Sequence, residues 1–330
     1  MRNRRNWLHA AGLMLFGTLV ATQAIAQSAD GFPNRPVKIV VPYAAGGGFD
    51  IYTRALAPGL AELWKQSVIV ENRPGGNEIL AAESVKQSAP DGYTLMLVSD
   101  AGMVNNPILV PKLSYSVQRD FALVTRLFDG KSVLVVRSSL PVNSLKEYIA
   151  YAKSSGGKAN YGSAGIGSSG HITLAWMANH ANVPLTHVPY KGSAPIIQDM
   201  ITGVVDATLA PLGLVDAFIR SGQIRPIAVT GDKRIKSLPN VPSVHETGDG
   251  LYDYRFFVGL AAPAQTPTAI VEKLAADIRT VACSQAFRER NTEPFGYDAV
   301  CDTPGEFSAF LGPYTEQRRQ RVEAAKLKPE

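Results

Sequence analysis

Only two of the 330 residues are cysteines, Cys283 and Cys301, eighteen positions apart near the C-terminus. So sparse a set excludes a cysteine-rich zinc module or a disulfide-scaffolded miniprotein. In an oxidising compartment the pair reads as a disulfide, whose loop contributes about 3 kcal/mol in the chain-entropy treatment. Two buried free thiols are the alternative. Catalytic signatures are missing too. The glycines at 46–48 are followed by no Walker lysine, and neither G-x-S-x-G nor H-E-x-x-H occurs. His171 and His180, nine residues apart, fall on opposite faces of a helix, and His187 and His245 stand alone, so no metal site is expected.

Charge of one sign is also scarce once the first residues are set aside. Arg2, Arg4 and Arg5 precede an apolar run from Trp7 to about Val20, and Ala24-Ile25-Ala26 has the small-residue pattern of a cleavage site. Residues 1–26 therefore read as an export signal cleaved after Ala26, which places the mature chain in the periplasm. Removing this segment takes three of 33 basic residues and none of 28 acidic ones, leaving a net charge of +2. That balance gives no case for nucleic acid. No second long apolar run follows, and the remaining 304 of 330 residues are enough for two ordinary domains.

The most telling stretch is Val37–Asp50, VKIVVPYAAGGGFD. A β-branched apolar run of this kind suits a strand buried on both faces of a parallel sheet. Gly46, Gly47 and Gly48 then let backbone amides approach a ligand at the mouth of a helix. Strand and helix signals alternate from there. The pattern predicts strands at 37–43, 68–71 and 93–98 with helices at 50–64 and to about 87, a βαβαβ unit. Tyr52, Leu56, Leu60 and Leu63 form the apolar face of the first helix, with a kink or a local loosening expected at Pro58-Gly59. Phe121–Phe128 and Ser132–Val136 read as two extended runs joined at Asp129-Gly130, where the chain crosses into a second lobe. That lobe repeats the grammar, and Tyr254–Leu260 reads as the crossing back. The expected division is 27–128 and 255–330 for lobe one and 129–254 for lobe two. Glu306–Lys326 reads as a basic-acidic helix with a solvated face.

Gly165-Ile166-Gly167-Ser168-Ser169-Gly170 matches G-x-G-x-x-G between a strand and a helix. The next strand ends in Pro189-Tyr190-Lys191 with no acid for a ribose, and an exported chain meets little nicotinamide, so no cofactor is expected. Two readings remain, a turn for tight helix–strand packing and a carboxylate cradle using free amides and the hydroxyls of Ser163, Ser168 and Ser169. Asp50 reads either as an N-cap, the favoured reading, or as an organiser of the glycine loop. His171 caps or packs. Gly192 and Ser193 offer further donors, and Lys191 either steers an anion or is a surface charge.

Taken together these residues resemble the Bug family, the periplasmic solute-binding proteins of tripartite tricarboxylate transporters. The landmarks are Pro36–Tyr43 with Gly46-Gly47 and Asp50, Glu71–Gly75, Asp91–Leu95, Asn106-Pro107, Asp120-Phe121, the Tyr161–His171 loop, His187–Gly192 and Leu238–Pro242. The resemblance implies an α/β, two-lobed Venus-flytrap fold, each lobe a mainly parallel sheet flanked by helices. It implies a small carboxylate between the lobes, held partly through two bridging waters near the first glycine loop. Carried over by position, the pocket comprises Tyr43, Gly47, Asp50, Ser163, Ile166, Gly167, Ser168, Ser169, Tyr190, Gly192 and Ser193. Three departures stand out: a shortened loop carrying Asn77-Glu78, Asp100 in place of a small hydroxyl residue, and Ala210 in place of an acid.

An Asp100 facing the cleft would repel a second carboxylate and favour a monocarboxylate or an amino acid. The reading is a monomeric, non-enzymatic receptor that hands its ligand to membrane components of a transporter. A secreted hydrolase or lyase using the same cleft, and a sensor signalling to a membrane partner, are the alternatives.

Overall fold

The computed structural model describes residues 31–190, 192, 194–248 and 254–327. The expected signal segment 1–26, Lys191 and Ser193 lie outside the described residues. The chain opens with β1 (Val37–Val41), α1 (Gly48–Trp64), β2 (Val68–Asn72), α2 (Ile79–Lys86) and β3 (Thr94–Ser99). Strand β1 is parallel to both β2 and β3, as the βαβαβ pattern predicts. A π-helical turn, Ala101–Asn105, runs into α3 (Asn106–Leu109), and α4 (Val117–Asp120) leads to β4 (Phe121–Arg137).

In the stretch expected to form lobe two come α5 (Leu145–Ser154), β5 (Asn160–Ser163), α6 (Ser169–His180), β6 (Thr186–Pro189), α7 (Ala194–Thr202), β7 (Ala207–Pro211), α8 (Leu212–Arg220) and β8 (Ile224–Val229). After α9 (Val244–Thr247) come β9 (Arg255–Pro263), α10 (Thr268–Ala282), α11 (Gln285–Asn291), β10 (Tyr297–Ala299) and α12 (Pro304–Ala324). The strands follow the order β2-β1-β3-β9-β4-β7-β5-β6, with β8 and β10 also paired to β4. The sheet is parallel within β2-β1-β3 and within β6-β5-β7, and antiparallel where β4 and β9 join it. This is the two-lobed α/β fold expected from the sequence.

The two extended runs expected around Asp129-Gly130 are one continuous strand. The first part of β4 pairs with β9 and β10, and residues 132–137 pair with β7 and β8, so a single strand threads both lobes. Gly130 serves a close approach there rather than a turn. A Cβ at Gly130 would lie 2.0 Å from the Phe256 ring. That ring belongs to an aromatic cluster in which Phe128 stacks on Tyr297 at 4.4 Å and meets Tyr52 at 4.7 Å.

Helix α1 continues through Pro58, and Gly59 clears room for Val281 of the neighbouring α10. Its buried row is Tyr52, Leu56, Leu60 and Trp64, one residue every four. Leu63, expected in that row, is 44% exposed. Cys283 and Cys301 form the disulfide, which ties the end of α10 to the segment after β10. Helix α12 departs from its expected solvated character: Phe307, Leu311, Arg318 and Val322 are buried along one side.

Gly130→Ala is expected to lower the unfolding free energy by about 1–3 kcal/mol, because the new methyl must displace a packed ring. Gly305→Ala, whose methyl meets open space, should stay within about 0.5 kcal/mol of the parent. Urea denaturation of both variants checks the contrast, and equal stabilities would remove the close-approach explanation.

Candidate functional site

The first glycine loop joins β1 to α1. Gly46 takes a left-handed φ of 80°, and Gly47 caps α1 without a side-chain hydrogen bond. Asp50 is therefore not the N-cap the sequence favoured. It is the third helical residue, and it reaches back to accept from the Gly46 amide at 2.8 Å. Arg54 Nε donates to its Oδ1 at 3.0 Å, and Asn72 Nδ2 donates to the same oxygen at 2.8 Å. Asn72 also holds the Tyr43 carbonyl at 3.1 Å. Burial works to raise the Asp50 pKa, but the Gly46 amide, Arg54 and Asn72 outweigh it and hold the carboxyl below its usual range. Asp50 thus fixes the loop while the amides of Gly48, Phe49 and Asp50 keep no protein acceptor among the described residues.

Across from that loop stands the start of α8. A Cβ on Gly48 would lie 3.5 Å from the Gly213 carbonyl carbon, and one on Gly47 would lie 3.6 Å from the Leu214 side chain. Helix α8 begins after Pro211 and, like α1, has no side-chain cap. Two helix N-termini without side-chain caps lie side by side, with the Tyr297 hydroxyl against both, 3.7 Å from where a Cβ on Gly48 would lie and 3.0 Å from one on Gly213. Each carries roughly half a positive charge, so an anion between them is stabilised by both. Sequence reasoning missed the α8 start. Its signal was Pro211-Leu212-Gly213 directly after an apolar strand.

The glycine-serine loop before α6 is internally tied. Gly165 N donates to Ser163 Oγ at 3.3 Å, Ser168 N to the Gly165 carbonyl at 3.1 Å, and Gly167 N to His171 Nδ1 at 3.1 Å. Ser168 caps α6 by accepting from the His171 amide. The amides of Ile166, Ser169 and Gly170 are left without acceptors among the described residues, and the Ile166 side chain is 48% exposed.

His187 is not isolated as the sequence suggested. It stacks on His171 at 3.9 Å and shares a 2.7 Å hydrogen bond between Nε2 and Ser163 Oγ. Burial pushes both histidines down to about 4, so they are neutral at ordinary pH. They line, with Leu109, Ile166, Gly167, Lys326 and Leu327, a cavity of ≈ 330 Å³. Among the described residues no group of three or more His, Cys, Asp or Glu is arranged for a metal. The Tyr190 hydroxyl donates to Asp199 at 2.5 Å, and Gly192 has a left-handed φ of 112°.

A polar junction lies between these loops. Asp100 is 3% exposed, but it carries no uncompensated charge into the cleft. Arg318 NH2, the Ser169 hydroxyl and the Tyr254 hydroxyl all reach its Oδ2, at 3.1, 2.7 and 2.9 Å. The Asp100 carboxylate, from which repulsion of a second carboxylate was expected, thus has its counter-ion built in. Ser169 joins the lobes, since Asn105 Nδ2 also donates to its oxygen at 3.1 Å.

Glu78 sits beside this group in a left-handed conformation, φ 78°, and is 1% exposed. Its Oε1 accepts from both the Tyr43 and Ser99 hydroxyls. Burial, reinforced by the nearby Asp100 charge, raises Glu78 to about 7 despite those two bonds. Glu78 Oε2 and Asn105 Oδ1 are buried with no partner. The structure thus gathers Tyr43 and Asp100 with Glu78, Ser99, Asn105 and Ser169. The Asp50 loop, the His171–Ser163 group and Tyr190 are tied within their own lobes.

The fold is that of a periplasmic binding protein. The structure described as periplasmic binding protein BugD is 28% identical, with a TM-score of 0.84 over 91% of this chain and 100% of that one. An R. palustris protein described with adipate is 29% identical, with a TM-score of 0.87 at the same coverages. MatC from Rhodopseudomonas palustris, described with bound malate, is 28% identical, with a TM-score of 0.81 over 88% of this chain and 100% of that one. By sequence, Protein BugT of Bordetella pertussis is 32% identical over 302 residues, 91% of this chain and 92% of that protein. A Cupriavidus necator UPF0065 protein is 36% identical over 82% of each. The profile described as "Tripartite tricarboxylate transporter family receptor" matches residues 52–321. The chain belongs to that receptor family, the Bug proteins, whose members and structural neighbours are binding proteins. Among the described residues no helix is long and apolar enough to cross a membrane.

The buried Glu78 gives the site a pH signature. Its folded-state pKa of about 7 lies above the ordinary 4.5, so protonation favours the folded chain. The contribution is complete below about 4.5 and is lost as pH rises through about 7. His171 and His187 act with the opposite sign, losing stability as pH falls from 6.5 through about 4. Between pH 5 and 8, wild-type stability measured by urea unfolding should fall relative to Glu78→Gln by roughly 2–3 kcal/mol. Parallel profiles would mean that Glu78 is ionised in the folded protein.

Proposed function

We propose that this chain is a periplasmic receptor that closes on a small carboxylate and delivers it to the membrane components of a tripartite tricarboxylate transporter. The observation that carries the proposal is the meeting of two uncapped helix N-termini, α1 from one lobe and α8 from the other, at the Gly48–Gly213 contact. An anion placed beside that contact meets the free amides at the start of α1 and the positive end of the α8 dipole, so it favours the closed arrangement over the open one. Tyr43, Gly47, Ile166, Ser169 and Gly192 supply the walls, and Asp50 holds the first loop in shape. The adipate and malate named with two structural neighbours support a carboxylate as the ligand class.

Residues 1–26 act as the export signal, cut after Ala26, and the mature chain works as a monomer without a cofactor. A hydrolase or lyase would need a nucleophile and a base in contact. The Ser169 hydroxyl is instead given to Asp100, and His171 Nδ1 accepts from a backbone amide.

A thermal-unfolding screen of the mature protein against small carboxylates tests the reading. A ligand at a hundredfold excess over its Kd should stabilise the fold by about 2.7 kcal/mol and emerge chemically unchanged. Turnover of the ligand, or no stabilisation by any carboxylate, would overturn it.

A further inference from the structure

We propose that the ligand carries a hydrogen-bond donor, a hydroxyl or an ammonium, beside its carboxylate, and that Glu78 Oε2 and Asn105 Oδ1 accept from it. The inference rests on the carboxylate-receptor reading and narrows it to one chemistry.

Both oxygens are buried and both lack a partner. The nearby donors are directed to other acceptors. The Tyr43 and Ser99 hydroxyls go to Glu78 Oε1, the Ser169 and Tyr254 hydroxyls go to Asp100, and Arg318 bonds Asp100 and Tyr314. The two vacant acceptors belong to one small region. Glu78 Oε2 packs against Gly102, where a Cβ would come within 2.4 Å of it, and Asn105 follows three residues later on the same π-helical turn. Asn105 is one bond from the opposite lobe, through Ser169, and Glu78 is one bond from a partly exposed tyrosine, Tyr43. A buried acceptor without a donor is costly, and two that flank the line of lobe closure leave the closed site incomplete until a donor enters.

The groups facing Glu78 are the Tyr43 and Ser99 hydroxyls, the Asp100 carboxylate with its Arg318 counter-ion, the Tyr115 ring hydroxyl and the backbone of Gly102. Two carboxyl groups against one guanidinium suit an incoming donor and disfavour another acceptor. A ligand hydroxyl meets this need as a neutral donor, and an ammonium adds a charge that Glu78 balances when ionised.

Matched triads of acids test the proposal: propionate, lactate and alanine; succinate, malate and aspartate; phenylacetate, mandelate and phenylglycine. Calorimetric titration of the mature protein at pH above about 8, where Glu78 is ionised and its Oε2 can only accept, should show, in the triad that binds, a hydroxy or amino member at least about tenfold tighter than its parent acid. Which of the two gains identifies the donor. In Glu78→Gln, where an amide donor replaces one acceptor oxygen, that gap should close. A parent acid bound as tightly as both derivatives would overturn the proposal while leaving the carboxylate receptor intact, as would an undiminished gap in Glu78→Gln. Failure of all nine acids to bind would remove the receptor reading along with it.

Discussion

Where α1 and α8 meet, the chain places two helix beginnings almost in contact, with neither capped by a side chain and the Tyr297 hydroxyl beside them. The approach is close: a Cβ on Gly48 would be in van der Waals contact with the opposing backbone, and one on Gly213 would come within 3.0 Å of the Tyr297 hydroxyl. Bare amides and aligned peptide dipoles of the same sign then face one another. In water each end is solvated separately. Brought together by lobe closure, they favour a shared negative group, and this links binding to conformation. The supporting parts keep that surface clean. Asp50 takes the Gly46 amide and the Ala44 carbonyl takes that of Gly47, which leaves those of Gly48, Phe49 and Asp50 without an acceptor among the described residues, while Arg54 and Asn72 hold Asp50.

A second constraint lies alongside. Arg318 is buried with Asp100, and a buried ion pair of this kind is strongly destabilising to break because it strands a charge. The pair reaches across 218 positions of sequence and anchors the terminal helix beneath the lobe junction. Ser169 bonds the same carboxylate from lobe two, so the charge that holds α12 also takes part in closure. With Asp100 neutralised by its own partner, selectivity passes to Glu78 and Asn105.

Much of the framework was legible from local patterns. The βαβαβ opening follows from alternating apolar runs and turn dipeptides. Strand β1 lies within its expected range, and β3 is shifted from its own by one residue. The glycine loop, the serine loop and the disulfide were visible because their residue types are chemically distinctive. What was not legible depends on distant partners. Gly130 follows Asp129 and reads as a turn, yet it lies mid-strand because Phe256 occupies the space above it. Helix α12 reads as a solvated amphiphile because nothing in its own sequence reveals that Arg318 meets Asp100. His187 looked solitary because its partner arrives only through the β5–β6 register and the start of α6. Asp50 read as a cap because an acid at a helix start usually is one. Only the position of Gly46 shows that it reaches backward.

The most direct test is a crystal structure of the mature protein with its tightest-binding carboxylate. The carboxylate oxygens should lie about 3 Å from amides at the start of α1 and at the start of α8, bridging the lobes at Gly48 and Gly213. A carboxylate seated away from both helix starts, with those amides left to solvent, would contradict the central claim.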